Sequence, residues 1–165
     1  MNHVYTLYEE CERMKTFIVN EYKELKDSDV YDLRTETCKD CIGCWTCWLK
    51  TPGRCVHHDL DAYYQSLLQA DTVLFYLRPS HDFVSGRVKT LFDRMIVLGL
   101  PFIRYDSGES MHLMRYKKNP SVIVRYLDEF SDAQARSLFV EYLQRVFFQF
   151  GMKVIEISAD EGQAS

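Results

Sequence analysis

Cys38, Cys41, Cys44, Cys47 and Cys55 gather five of the chain's six cysteines into one short stretch, the first four at every third residue. Thiols at that spacing crowd around one small volume. Such an arrangement suits a metal or iron-sulfur cluster, or a redox or flavin site built on a tight turn. Three close ligands and one distant one, Cys41, Cys44, Cys47 and Cys55, suit a [4Fe-4S] cubane. Zinc fits less well, because structural zinc sites usually join two separated knuckles. The competing reading makes these thiols small buried hydrophobes on a turn, with Cys38 a bystander.

Other groups able to do chemistry are more scattered. His81 and Asp82 read either as a proton donor with its orienting carboxylate or as a solvated loop pair. His57 and His58 follow Cys55 and either add a ligand or stand exposed. Glu109, His112, Arg115 and Tyr116 fall in a long connection, as a lid or as ordinary surface. Trp45 and Trp48 flank the cysteines as covers for the sheet or a subunit contact, with stacking on a ring the lesser alternative. Phe92, Asp93 and Arg94 read as structural, the two charges pairing or capping.

The elements that must position these groups follow from hydrophobic periodicity. Val4, Leu7, Cys11, Met14, Ile18, Tyr22 and Leu25 step by three and four, which predicts an amphipathic helix over Val4 to Leu25. The rival, a strand over Thr16 to Asn20, leaves only Glu21 to Ser28 before the next strand, short for a parallel crossover. Asp29 to Leu33 reads as a strand, the cysteine segment as a loop with a helical turn, and Leu60 to Gln69 as a helix. Thr72 to Leu77 is an apolar run stopped by Pro79, the mark of a strand buried on both faces. A helix over Ser85 to Leu98, a connection over Pro101 to Asn119 and a strand over Ser121 to Leu127 come next. Ser131 is expected to cap a helix running to about Phe150, with Asp132 in its first turn; Gly151 ends it. Lys153 to Ser158 is the last strand, and 160–165 a frayed tail. Strand and helix in alternation predict an α/β sandwich with a mostly parallel sheet, whose ligands bind where strands end, after Leu33, Leu77 and Leu127.

With 165 residues, 47% of them hydrophobic, the chain is one domain over 1–165 with a core that needs no disulfide staples. A net charge of -4 argues against a general nucleic-acid surface. No secretory signal and no stretch for a membrane span is seen, so the expected location is cytoplasmic, where dense cysteines hold metal or do redox chemistry.

Cys41-Ile-Gly-Cys44-Trp-Thr-Cys47 with Cys55 and Asp59, then Ala70-Asp71-Thr-Val-Leu-Phe, then Pro79 to Gly86 with Lys89 and Phe92-Asp93-Arg94, resembles the flavodoxin-like NAD(P)H-dependent FMN reductases and the related iron-sulfur flavoproteins. The resemblance runs from about Tyr22 to the C-terminus. It implies a flavodoxin-like three-layer sandwich, an FMN, NAD(P)H as electron donor, and a small-molecule or other electron acceptor. It places Pro79, Ser80, His81, Asp82, Phe83, Val84 and Ser85 along the isoalloxazine edge, and a homo-oligomer, a dimer, is expected. Departures are visible too. His81 stands where the family carries an aromatic, and Arg78 where small residues are common. The family's first strand and the Gly/Ser/Thr-rich phosphate loop after it are expected to be missing, either because the chain is a fragment of a longer protein or because it is a variant without ordinary FMN binding. A metal-binding or electron-carrying protein without flavin, or an inert scaffold in subunit contacts, are the alternatives.

Overall fold

A strand runs where the helical stripe pointed elsewhere: β1 covers Thr16–Asn20, inside the sheet between β2 and β3. The computed structural model describes residues 14–26, 29–106 and 108–160. It continues with β2 (Val30–Asp32), α1 (Thr46–Leu49), α2 (Asp61–Gln69), β3 (Thr72–Leu77), α3 (Gly86–Arg94), a 3-10 turn at Met95–Leu98, β4 (Gly99–Asp106), β5 (Glu109–Met114), β6 (Ser121–Tyr126), α4 (Ala133–Gln149) and β7 (Val154–Ala159). Among the described residues, five strands form a parallel sheet in the order β2-β1-β3-β6-β7, and β4 pairs with β5 in a separate antiparallel hairpin. This is the flavodoxin-like order of an α/β sandwich, with its switch point beside β1.

The expectation of a missing first strand is therefore corrected. Thr16-Phe-Ile-Val combines β-branched and aromatic residues, and Phe17 and Val19 are buried between two neighbours, a better outcome for them than one stripe of a helix. The length objection fails because among the described residues no helix lies between β1 and β2, so the connection through 21–26 has none to climb over. The upstream part of the expected helix, through Arg13, and the tail beyond Asp160 lie outside the described residues.

In register, Val19, Phe75 and Val124 sit side by side and share one face. Phe17 meets Tyr63 of α2 at 5.6 Å between ring centroids, Phe75 meets Phe92 of α3 and Phe147 of α4 at 6.1 and 5.1 Å, and Tyr126 meets Phe139 of α4 at 5.5 Å. Thus α2, α3 and α4 all reach that same face. These tilted and edge-on aromatic contacts add to the burial that drives the packing. On the opposite face Tyr22 lies edge-on to Tyr76 at 5.8 Å and donates to Asp160 at 2.6 Å, and Arg125 pairs with Glu156 at 2.8 Å.

Element ends follow local chemistry. Ser85 caps α3, its hydroxyl accepting from Val88 N at 3.2 Å. For α4 the cap is Asp132, accepting from Ala135 N at 2.8 Å, rather than Ser131, whose side chain turns to Asp82. The connection expected over Pro101 to Asn119 is largely the β4-β5 hairpin. No helix among the described residues is long and apolar enough to cross a membrane.

Candidate functional site

The cysteine segment leaves β2 and is tied back at three points. Lys39 donates its N-H to Asp59 at 2.8 Å, Thr90 donates its hydroxyl to Asp40 at 2.6 Å, and Trp48 donates its indole N-H to the carbonyls of Gly99 and Ile96 at 3.1 and 3.3 Å. Between these ties Gly43 and Trp45 take left-handed backbone conformations, at φ 63° and 55°. The turn leaves Cys41 and Cys44 exposed, carries Cys47 inward on α1, and Gly53 N donating to Cys47 O at 3.0 Å brings the segment of Cys55 back beside it.

Cys41, Cys44, Cys47 and Cys55 all line one cleft of about 400 Å³, with Trp45, Phe92, Arg94 and Phe150 among its walls. The four thiols grouped by spacing therefore do meet around one volume, while Cys38 lies apart, lining a smaller hollow. The thiols are not equivalent. Hydrogen bonds from the hydroxyl and the N-H of Thr46 hold the exposed Cys44 thiol below its ordinary value of 9.0. Burial pushes Cys47 up, and Cys55, Cys41 and Cys44 push it further. Burial also raises Cys38. His57 lines the cleft with its Nε2 buried and without a hydrogen-bond partner.

The floor is built on a charge pair that the sequence did not single out. Arg94 is 1% exposed and donates to Asp59 at 2.5 Å and to the carbonyl of Lys39 at 2.5 Å. Arg94 and Asp93 thus do not pair with each other; Asp93 takes Lys89 one helical turn back. Burial works to raise Asp59, but the hydrogen bonds from Arg94 and Lys39 and the guanidinium charge win and hold it at about 2. The only sequence signal was an acidic residue shortly after the last cysteine.

Pro79 to Ser85 stand at the carboxyl end of β3, away from the thiols. Ser80 and Phe83 exchange backbone hydrogen bonds at 2.8 and 3.2 Å, and His81 and Asp82 both have positive φ, 51° and 60°. That is a type I′ turn, which demands two left-handed residues. Asp82 accepts from the N-H and hydroxyl of Ser131 at 2.7 and 2.6 Å, and these bonds, the hydroxyl's first, lower its pKa. His81 Nδ1 faces Ser80 Oγ at 3.2 Å. The Asp82 carboxylate is thus engaged by Ser131, and Phe83 packs at a tilt against Tyr142 with 4.5 Å between ring centroids; Pro79 and Val84 are buried.

Two cofactor fits follow. Among the described residues no three His, Cys, Asp or Glu side chains stand close enough to hold a metal ion, so Cys41, Cys44, Cys47 and Cys55 share a cleft without being gathered into a coordination sphere. For FMN, the loop after β1 would have to offer free backbone N-H groups and an anion-attracting end. Instead Asn20 accepts from the N-H groups of Tyr22 and Lys23 at 3.3 and 2.9 Å, and the Glu21 carboxylate takes Arg78 N at 2.8 Å and Ser85 Oγ at 2.5 Å. The hollow beside Leu33, Gly86 and Arg87 is about 220 Å³, below the roughly 300 Å³ where ligand pockets begin. The residues present do not fit an FMN phosphate. No protein-family model matches the sequence, and no curated protein matches it.

Proposed function

We propose that this protein is a thiol-disulfide redox protein on a flavodoxin-like scaffold, with Cys44 as the attacking thiol and Cys47 as the resolving one. The observation that carries this reading is the pair Cys44-Trp-Thr-Cys47, one thiol exposed and its partner three residues on buried, both lining a largely apolar cleft. An attacking thiol must reach substrate as thiolate, and a resolving thiol must be kept from competing with it.

In the forward direction the Cys44 thiolate attacks one sulfur of a substrate disulfide, and the substrate S-S bond breaks. The leaving sulfur departs as thiolate and takes up a proton. Cys47 then gives up its proton and attacks the Cys44 sulfur, releasing the second substrate thiol. The balance is one disulfide formed in the protein, one reduced in the substrate, and two electrons passed. An external dithiol returns the protein to its reduced form. The reducing cytoplasm is the compartment we infer, because a dithiol persists there.

Titration of the purified protein against thiol-disulfide buffers, read by mass spectrometry after alkylation, tests this. One two-electron transition is expected, lost in Cys44→Ser and in Cys47→Ser, with a mixed disulfide trapped in Cys47→Ser alone. A titration in which Cys44 and Cys47 never pair overturns it. Two other readings are separated by an absorption spectrum of the fresh preparation. A [4Fe-4S] or other metal centre on Cys41, Cys44, Cys47 and Cys55, which would need those thiols drawn closer together, would give a broad brown absorption. An FMN-dependent NAD(P)H oxidoreductase, which shares the strand order but needs a phosphate site these residues do not offer, would give flavin bands.

A further inference from the structure

The crevice that doubly wound sheets use for ligands opens at the carboxyl ends of the strands beside the switch point, here beside β1 and β3. In such a crevice an anionic ligand is held by backbone N-H groups of the first loop and by the N-terminus of a helix. Four donors at this crevice, the N-H groups of Tyr22, Lys23 and Arg78 and the hydroxyl of Ser85, already have partners. The N-H groups of Tyr22 and Lys23 donate to Asn20 Oδ1, and Asn20 Nδ2 donates back to the carbonyl of Lys23 at 2.9 Å, so the loop closes on a fully buried side chain. The N-H of Arg78, just past β3, and the hydroxyl of Ser85, the cap of α3, both donate to Glu21. A carboxylate, 57 and 64 residues away in sequence from its two donors, thus sits where an anion would be received.

We infer that this crevice is closed to phosphate-bearing ligands by the chain's own side chains, with Glu21 acting as a built-in anion and Asn20 consuming the loop donors. A second negative charge brought beside Glu21 would meet repulsion and find the donors of Tyr22, Lys23, Arg78 and Ser85 already engaged. Burial raises Glu21, and the bonds from Ser85 and Arg78 work against that rise, as expected for a half-buried carboxylate. The closure is independent of the thiol cleft and stands or falls separately from it.

FMN and riboflavin share a ring and differ by a phosphate, so the pair isolates the group in question. Fluorescence titration of the wild-type protein should show FMN binding no tighter than riboflavin, and thermal melts in inorganic phosphate should match those in chloride at equal ionic strength. Glu21→Ala should melt higher in phosphate than in chloride. Glu21→Gln, which keeps the size and acceptor of the side chain, should respond in the same direction and serves if the alanine variant does not fold. The inference is overturned if wild-type protein binds FMN at least about tenfold tighter than riboflavin. It is overturned equally if the folded variants show no response to phosphate. Cys44→Ser should leave all of these results unchanged.

Discussion

Arg94, at the end of α3, reaches Asp59, ahead of α2, with 2.5 Å between its guanidinium nitrogen and the carboxylate, and the same guanidinium holds the carbonyl of Lys39. One buried cation thereby fixes both ends of the cysteine segment, since Lys39 precedes Cys41 and Asp59 follows Cys55. Removing it strands a carboxylate and a carbonyl. Arg94→Met is expected to cost about 3 kcal/mol in urea unfolding, because breaking one side of a buried pair leaves the other uncompensated. Hydrogen exchange should show the amide of Lys39 opening with it. A loss below about 1 kcal/mol would mean the pair does not anchor the loop.

Acid should act on the same pair. Asp59 is held at about 2 against an ordinary 3.8, so its charged form contributes stability that is full above 3.8 and lost as pH falls from there through about 2. Unfolding midpoints in urea should therefore fall over that window, and Asp59→Asn should remove part of the slope. Equal slopes in the two proteins would assign the acid sensitivity to other groups.

The thiols should separate by rate. Thiolate is the reactive form, so the exposed Cys44, held below 9.0, should be alkylated by iodoacetamide first at neutral pH, and Cys47, buried and raised, last. A difference of at least about tenfold is expected, read by peptide mass spectrometry. Thr46→Val removes the hydroxyl that bonds Cys44 and should slow only that reaction. Cys47 reacting as fast as Cys44 would remove the asymmetry on which the redox reading depends.

His81 and Asp82 answer to backbone conformation. Asp82→Ala should be destabilising, since it breaks two bonds to Ser131 and keeps a left-handed position without the residue that tolerates it. His81→Asn should be neutral or slightly stabilising, because asparagine is favoured at a left-handed turn position. Thermal melts of the two variants check this. A His81→Asn protein that folds normally but fails in disulfide exchange would give His81 a chemical role instead.

Much of the architecture is legible where one local signal dominates. Thr72 to Leu77 is a strand because an apolar run stopped by Pro79 has few other uses, and Ser85 begins a helix because its hydroxyl can cap one. The first strand is hidden in the sequence because Met14, Ile18, Tyr22 and Leu25 happen to fall at helical steps. Phe17 and Val19 keep the period of a strand in the same residues, and only neighbours on both sides decide between the periods. The hairpin at β4 and β5 is not legible in the sequence for a related reason, since its pairing is set between partners such as Tyr105 and Ser110 rather than by a run of apolar residues.

The cysteine spacing by itself determined that several thiols would share a small space, because residues three apart on a tight turn have nowhere else to go. Tertiary structure alone decided what that space is like. The left-handed turns at Gly43 and Trp45 put Cys44 outside and Cys47 inside, and α3 supplies Phe92 and Arg94 as walls from a distant part of the chain. Likewise Asn20 and Glu21 look like ordinary polar residues after a strand. Their role depends on Arg78 and Ser85, donors that only the sheet order brings within reach.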